Sequence, residues 1–293
     1  MTTAASDRRC PWGTHTAVMA ILNITPDSFS DGGLHLQPQH ACRAARRMAA
    51  QGADLLDIGA QSTRPGAVDV GAEEELRRLL PVLEQLVSAR RDGDLPSGLL
   101  LSIDTFLAPV AAAALDAGAD WINDVSGGLG DAAMLPLIAE RNCPYVLMHR
   151  RGDARTMNDL ASYSAVSTEV EHELMARTDA ALNAGVSADQ ILWDPGLGFA
   201  KTTQHNLMLL EALPQLAAHG FPLLLGPSRK RFIGDVLNEP RPKARVWGTA
   251  ASVCRAIAGG ARVIRVHDVG PISQICRMAD ALWPRREPLS PIA

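Results

Sequence analysis

Gly52-Ala53-Asp54-Leu55-Leu56-Asp57-Ile58-Gly59 contains the fold in miniature. A glycine that ends a helix is followed almost at once by a short apolar run in which polar and apolar positions do not alternate. Such runs suit strands covered on both faces, as in parallel sheets wrapped by helices. The same opening returns as Gly118-Ala119-Asp120 before Trp121-Ile122-Asn123-Asp124-Val125, and as Gly260-Ala261-Arg262 before Val263-Ile264-Arg265-Val266-His267. Repetition with the same punctuation points to one unit used many times.

Working outward, β-branched or leucine-rich runs fall at 17–24, 54–59, 99–104, 121–125, 145–149, 191–194, 222–226 and 263–267, which makes eight candidate strands. Segments with helical apolar spacing lie at 38–51, 72–90, 109–117, 132–141, 166–184, 206–219, 244–258 and 272–283. Strand followed by helix, eight times over, predicts an α/β protein with a single-domain (β/α)8 TIM barrel, with an open doubly wound sheet as the alternative. The expected division is an N-terminal tail over 1–15, the barrel over 16–284 and a C-terminal tail over 285–293. The one long excursion, 150–164, follows strand five, whereas 91–98 is a polar turn at the opposite end.

Composition narrows the partners. With 293 residues, 47% of them hydrophobic and 20% charged, the chain can bury one large core. A net charge of −4 and a pI near 6.1 give no general attraction to nucleic acid or to an anionic membrane, so an anionic ligand would need a local cationic cluster. Cys10, Cys42, Cys143, Cys254 and Cys276 are scattered without C-x-x-C spacing, which argues against a disulfide framework or a zinc site and for a reducing cytoplasm. No stretch approaches eighteen unbroken apolar residues.

The chemistry is read from position. Polar residues gather at the ends of strand after strand, where barrel enzymes build their sites: Asn23, Asp57, Asp104, Asn123 with Asp124, His149, Asp194, Ser228 to Lys230, Arg265 and His267. One such residue is an ordinary cap; so many converging are not. Arg64, Arg229, Lys230, Arg265 and His267 form a candidate anion cradle, and Gly226 to Lys230 reads as a loop feeding a helix N-terminus, a common phosphate site in barrels. Asp104, Asn123 and Asp194 form a second group suited to the paired N–H donors of a guanine-like or pterin ring. His149 either caps its strand or lines the pocket.

Seven ordered motifs then resemble those of the dihydropteroate synthase family. They are Asn23-Ile24-Thr25-Pro26-Asp27-Ser28-Phe29-Ser30-Asp31-Gly32-Gly33, Asp57-Ile58-Gly59-Ala60-Gln61-Ser62-Thr63-Arg64-Pro65-Gly66, Ser102-Ile103-Asp104-Thr105, Ile122-Asn123-Asp124-Val125, Asp194-Pro195-Gly196-Leu197-Gly198-Phe199-Ala200-Lys201, Gly226-Pro227-Ser228-Arg229-Lys230 and Arg265-Val266-His267-Asp268-Val269. The first two are long enough to be specific alone. Gln61 replaces the Glu of many members, Ala60 a Gly, and Leu197 and Ala200 are mild changes; none removes a group the chemistry needs.

The resemblance implies a transferase of folate biosynthesis that joins 6-hydroxymethyl-7,8-dihydropterin diphosphate to 4-aminobenzoate, releasing diphosphate in an SN1-like displacement. By motif, Asp104, Asn123, Asp194 and Lys230 should hold the pterin, and Asn23, Arg64, Arg265 and His267 the diphosphate. Asn23 should also ligate Mg2+. Phe29, Thr63, Pro65, Phe199 and Ser228 should form the aminobenzoate slot, where sulfonamides would compete. The catalytic group implied is Asp31, Arg64, Asp104, Lys230, Arg265 and His267, with Asp31 and Phe29 on a loop that opens and closes. A homodimer through helices near the chain's end is expected. A methyltetrahydrofolate-dependent methyltransferase would share the carboxylates but has no use for the cations, and a non-catalytic relative would have lost part of the set.

Overall fold

The computed structural model describes residues 13, 15–25, 37–62, 66 and 69–284. Its elements alternate as β1 (Ala17–Asn23), α1 (Gln37–Ala50), β2 (Leu55–Gly59), α2 (Gly71–Arg91), β3 (Leu100–Asp104), α3 (Ala108–Asp116), β4 (Trp121–Asp124), α4 (Met134–Arg141), β5 (Tyr145–Met148), α5 (Val166–Asn183), β6 (Ile191–Asp194), α6 (Thr203–Ala217), β7 (Leu223–Leu225), α7 (Arg231–Leu237), α8 (Val246–Ala258), β8 (Ala261–Val266) and α9 (Val269–Leu282). The strands pair in chain order, all parallel, and β8 returns to β1 with Ala17 opposite Val263 and Met19 opposite Arg265. That last ladder closes the barrel and removes the open-sheet alternative.

The repeated Gly-Ala-Asp has a physical cause. Gly52, Gly118 and Gly260 all stand in the left-handed region, at φ 97°, 101° and 103°, where a side chain is strained. In the first two copies the aspartate then reaches back one strand. Asp54 Oδ2 accepts from the amide of Val18 at 2.8 Å, and Asp120 Oδ2 accepts from the amide of Leu101 at 2.9 Å. Each carboxylate thus satisfies an amide at the start of the preceding strand, which water would otherwise have to reach. The third copy has Arg262 in that place.

One helix differs from expectation. The span between β7 and β8 holds two helices, because the seven residues of α7 precede a short 3-10 turn over Pro242–Arg245 and then α8. Seven residues are too few to show a helical period in sequence, although a helix start after Lys230 was foreseen.

Strand side chains alternate between two environments that the apolar runs conceal. Val18, Ala20, Leu22, Leu56, Ile58, Leu101, Ile103, Ile122, Tyr145, Leu147, Trp193 and Ile264 meet the helices. Ala17, Met19, Leu55, Leu100, Trp121, Val146, Leu192, Leu224 and Val263 fill the lower interior of the barrel as a separate apolar cluster. The residues two places further along β2, β3, β4, β6 and β8 share that inward face and are Asp57, Ser102, Asn123, Asp194 and Arg265. A dry floor therefore lies directly beneath a polar layer at the C-terminal mouth.

Candidate active site

The polar layer is organised around Asp57, which is fully buried. Its carboxylate accepts from Ser102 Oγ at 2.7 Å, Asn123 Nδ2 at 3.0 Å and Arg265 Nε at 2.5 Å. Arg265 turns a second nitrogen, Nη2, to Asp104 Oδ2 at 2.6 Å. Burial opposes the charge on Arg265, yet Asp57 and Asp104 together carry its pKa above the ordinary guanidinium value. For Asp104 the balance runs the other way: burial pushes its carboxyl up, Arg265 pulls it back, and Asp57 and Glu75 push it up again. Its other oxygen, Oδ1, is buried and has no hydrogen-bond partner among the described residues. An acceptor left in that condition is costly, and a ligand N–H would satisfy it.

Asp194 lies 7% exposed at the end of β6, with Oδ1 accepting from the amide of Gly196 at 2.7 Å. Burial raises its pKa, and the Gly196 amide, Lys230, Arg265 and Lys201 oppose that rise. Lys230 is the residue before α7; its Nζ donates to the carbonyl of Leu197 and stands 4.3 Å from the centre of the Phe199 ring. Burial lowers the Lys230 ammonium to about 8, the more so for nearby Arg265, while Asp194 and Asp104 hold it up. A Cβ on Gly198 would meet Lys230 Cδ at 2.8 Å, so the glycine at φ 79° makes room for that lysine. The structure thus brings Asp104, Asn123, Asp194, Lys230, Arg265 and Phe199 into one mouth.

Asn23 ends β1, and a Cβ built on Gly59 would stand 3.5 Å from Asn23 Oδ1 and 3.6 Å from Asp104 Cβ, so the missing side chain at Gly59 leaves open the gap between them. His267 and Ser228 form a pair at the ends of β8 and β7: Ser228 Oγ accepts from the His267 amide at 3.1 Å and faces His267 Nδ1 at 3.0 Å. A hydroxyl that accepts from the amide can donate its own proton to Nδ1, which leaves the imidazole N–H on Nε2. Arg229, of the cradle group, is paired with Asp268, the residue after His267. It sits at φ 60° and its guanidinium clamps both oxygens of Asp268, which neutralises its charge. Asp124 also serves the scaffold, accepting from the amides of Ser126 and Gly128 and from Tyr145 Oη. Phe29, Asp31, Thr63, Arg64 and Pro65 lie outside the described residues. The amide of Gly66 donates to the carbonyl of Ala154 at 2.8 Å, which sets Gly66 against the excursion after β5.

Asp57, noted among the polar strand residues, was given no role because it stands inside a strand; its signal was a carboxylate sharing the inward parity of Leu55 and Gly59. Glu173 and Lys201 were passed over as well. His149 is fully buried, points with Tyr145 and Leu147 toward the helices, and contacts Glu173 and Lys201, so it does not line the mouth directly. Among the described residues no three His, Cys, Asp or Glu side chains gather as a metal cage, and no helix is long and apolar enough to cross a membrane.

The model of the family described as pterin binding enzyme matches residues 19–267, a span that runs from β1 to the end of β8. The dihydropteroate synthase of Synechocystis is 50% identical over 272 residues, which are 93% of this chain and 92% of that protein. The chain belongs to the pterin-binding enzymes, among the dihydropteroate synthases. Longer curated relatives are spanned only in part, 56% of one and 36% of another. The solved dihydropteroate synthase of Xanthomonas albilineans with 4-aminobenzoic acid superposes with a TM-score of 0.84 at 43% identity, covering 92% of this chain and 93% of that one. The same enzyme in complex with 7,8-dihydropteroate gives 0.80 at 40% identity, covering 92% and 94%. In the family's terms, the polar layer and the loops above β6, β7 and β8 are the candidate site.

Proposed function

We infer that this family member makes 7,8-dihydropteroate for folate synthesis, joining 6-hydroxymethyl-7,8-dihydropterin diphosphate to 4-aminobenzoate with loss of diphosphate. The observation that carries the pterin half is the orphaned, buried Oδ1 of Asp104, set in one mouth with Asn123 and Asp194. A pterin brings ring and exocyclic N–H groups side by side, and carboxylates accept such pairs well. Asp104, Asn123, Asp194 and Lys230 hold the ring in this reading. The relatives solved with 4-aminobenzoic acid and with 7,8-dihydropteroate support the same pair of ligands here.

The reaction needs no nucleophilic side chain. The bond from the pterin methylene to oxygen breaks, its electron pair leaves with the diphosphate, and the aminobenzoate nitrogen forms the new C–N bond with its own lone pair and then loses a proton. The electron-rich dihydropterin tolerates cationic character at the methylene, so departure precedes attack in an SN1-like path. Preorganised charge at the leaving group then lowers the barrier. Arg265 has Nε and Nη2 engaged by Asp57 and Asp104, which fixes the guanidinium; in this reading Arg265, His267, Asn23 and Arg64 take the diphosphate. Asp31 and Asp104 favour the cationic carbon. Phe199 and Ser228, with Phe29, Thr63 and Pro65, flank the aminobenzoate, and a sulfonamide of the same shape competes for that slot.

Mg2+ fits the donor set. A hard cation that draws most of its ligands from phosphate and water needs only an oxygen or two from the protein, and Asn23 Oδ1 offers one beside the gap at Gly59. When bound, the ion would screen the diphosphate's charge as it leaves. We also place the protein in the cytoplasm, since its scattered thiols suit a reducing compartment, and infer a homodimer. Val236 and Leu237 at the end of α7 and Trp247 on α8 are 58%, 50% and 76% exposed, an apolar group that a second copy would cover; a monomer mass by light scattering would reject that pairing. The activity itself is tested by incubating the protein with both substrates and Mg2+. Equal amounts of dihydropteroate and diphosphate are expected, and their absence would overturn the reading.

A further inference from the structure

We propose that Lys201, braced by His149 and Glu173, is a positioning residue that sets the substrate-facing side of the segment after β6, a proposal that rests on the function inferred above. That segment cannot set its own shape. Gly196 and Gly198 lie in the left-handed region at φ 68° and 79°, which glycine takes freely but which fixes nothing locally, and Ala200 at φ 48° is strained there, so the segment needs outside support. A Cβ on Gly196 would fall 1.9 Å from the carbonyl oxygen of His149, which shows how closely the segment is pressed on the end of β5.

Support comes from behind. Lys201 Nζ donates to the carbonyl of Phe199 at 2.9 Å and lies 2.9 Å from His149 Nδ1. Burial lowers Lys201 to about 7, with Asp194 and Glu173 holding it up; in its charged form it has no lone pair, so Nδ1 accepts, and the imidazole proton then sits on Nε2, 3.0 Å from Glu173 Oε2. Glu173 is held in turn by Arg151 Nε at 2.9 Å. Burial and the neighbouring Lys201 lower His149 to about 4, which keeps it neutral and able to accept. Facing the Lys201 ammonium are Asp194 on β6, Glu173 on α5, Lys230 before α7 and Arg151 after β5. The front of the same segment meets the substrates: the Leu197 carbonyl receives Lys230 Nζ, and the Phe199 ring lies beneath that ammonium. Fixing the Phe199 carbonyl from the rear therefore fixes its ring and the Lys230 seat at the front. Lys201 touches no reacting atom in this arrangement.

The test compares Lys201→Met, Lys201→Arg, His149→Asn and His149→Gln in the full chain by steady-state kinetics and thermal melting. Lys201→Met is expected to raise KM for both substrates roughly ten- to a hundredfold, the range for loss of a charged hydrogen bond, with kcat changed less than about threefold. His149→Asn keeps an acceptor where Nδ1 stood and should recover most of the wild-type KM. His149→Gln reaches Glu173 but offers nothing to Lys201, and should behave like Lys201→Met. Lys201→Arg keeps a charged donor for the Phe199 carbonyl and should recover part of the wild-type KM, whereas a folded Lys201→Met protein with wild-type KM values would overturn the proposal. So would equal losses in the two His149 variants that track melting temperature alone. If wild type made no product, the functional reading would fall, while titration of pterin diphosphate into the same four proteins would still decide the role of Lys201.

Discussion

Leu55, Leu100, Trp121 and Val263 and, two residues on in the same four strands, Asp57, Ser102, Asn123 and Arg265 form adjacent layers of one barrel and obey opposite rules. The lower layer is apolar, closed and filled by large side chains such as fully buried Trp121. Its stabilisation comes from area removed from water and from close packing. The upper layer buries two carboxylates and a guanidinium that satisfy one another apart from Asp104 Oδ1. Buried ion pairs seldom stabilise a fold more than apolar residues of similar size would. The comparison teaches that the floor holds the barrel together and that the layer above it is retained for a ligand.

The sharpest way to break that division is Arg265→Ala. It strips two buried carboxylates of their shared cation and removes a leaving-group donor, so turnover at saturating substrate should fall roughly a hundred- to a thousandfold. Uncompensated charge at Asp57 should also cost about 3–5 kcal/mol in denaturant unfolding. Wild-type turnover would remove Arg265 from the chemistry. The matching cut in the floor is Trp121→Ala, expected to cost about 3–5 kcal/mol of stability while the folded fraction keeps its KM values. A shifted KM with unchanged stability would erase the distinction between layers.

A smaller effect probes the polar layer's neighbour. Glu75, 1% exposed on α2, has its carboxyl raised to about 7, chiefly by burial. A carboxyl that binds its proton more tightly in the folded state adds stability at low pH, and that contribution is lost as pH rises through about 7. The melting temperature should therefore decline between about pH 5 and pH 8 in wild type, and Glu75→Gln should flatten the decline. An unchanged slope would show that Glu75 is not the titrating group. The least change is expected from Phe199→Leu, which keeps bulk but loses the ring under Lys230; KM for aminobenzoate should rise about two- to tenfold. No change would take Phe199 out of the slot.

Much of this was legible in the sequence, for identifiable reasons. Apolar runs bounded by glycine gave the strands, because a doubly covered strand has no polar face to hide it. Residues at strand ends announced Asp104, Asn123, Asp194, Lys230, Arg265 and His267, since strand direction alone places them at one mouth. Asp57 was harder, because within a continuous apolar run only the parity it shares with Leu55 marks it as facing inward, and only its place further along the strand puts it in the mouth and not the floor. The pairing of Arg229 with Asp268 could not be read in advance, because charge is visible in a sequence, whereas a backbone at φ 60° that sets it on Asp268 is not. The brace of Glu173, His149 and Lys201 spans three elements, and no local spacing connects them.

The claim that the upper layer exists to hold the pterin comes down to one oxygen. Titration of pterin diphosphate into wild type and Asp104→Asn, followed by calorimetry, reads it directly. Loss of the charged acceptor is expected to weaken binding about ten- to a hundredfold. Equal affinity in the two proteins would mean that Asp104 Oδ1 is not the pterin's partner, and the assignment of the mouth would have to be redrawn.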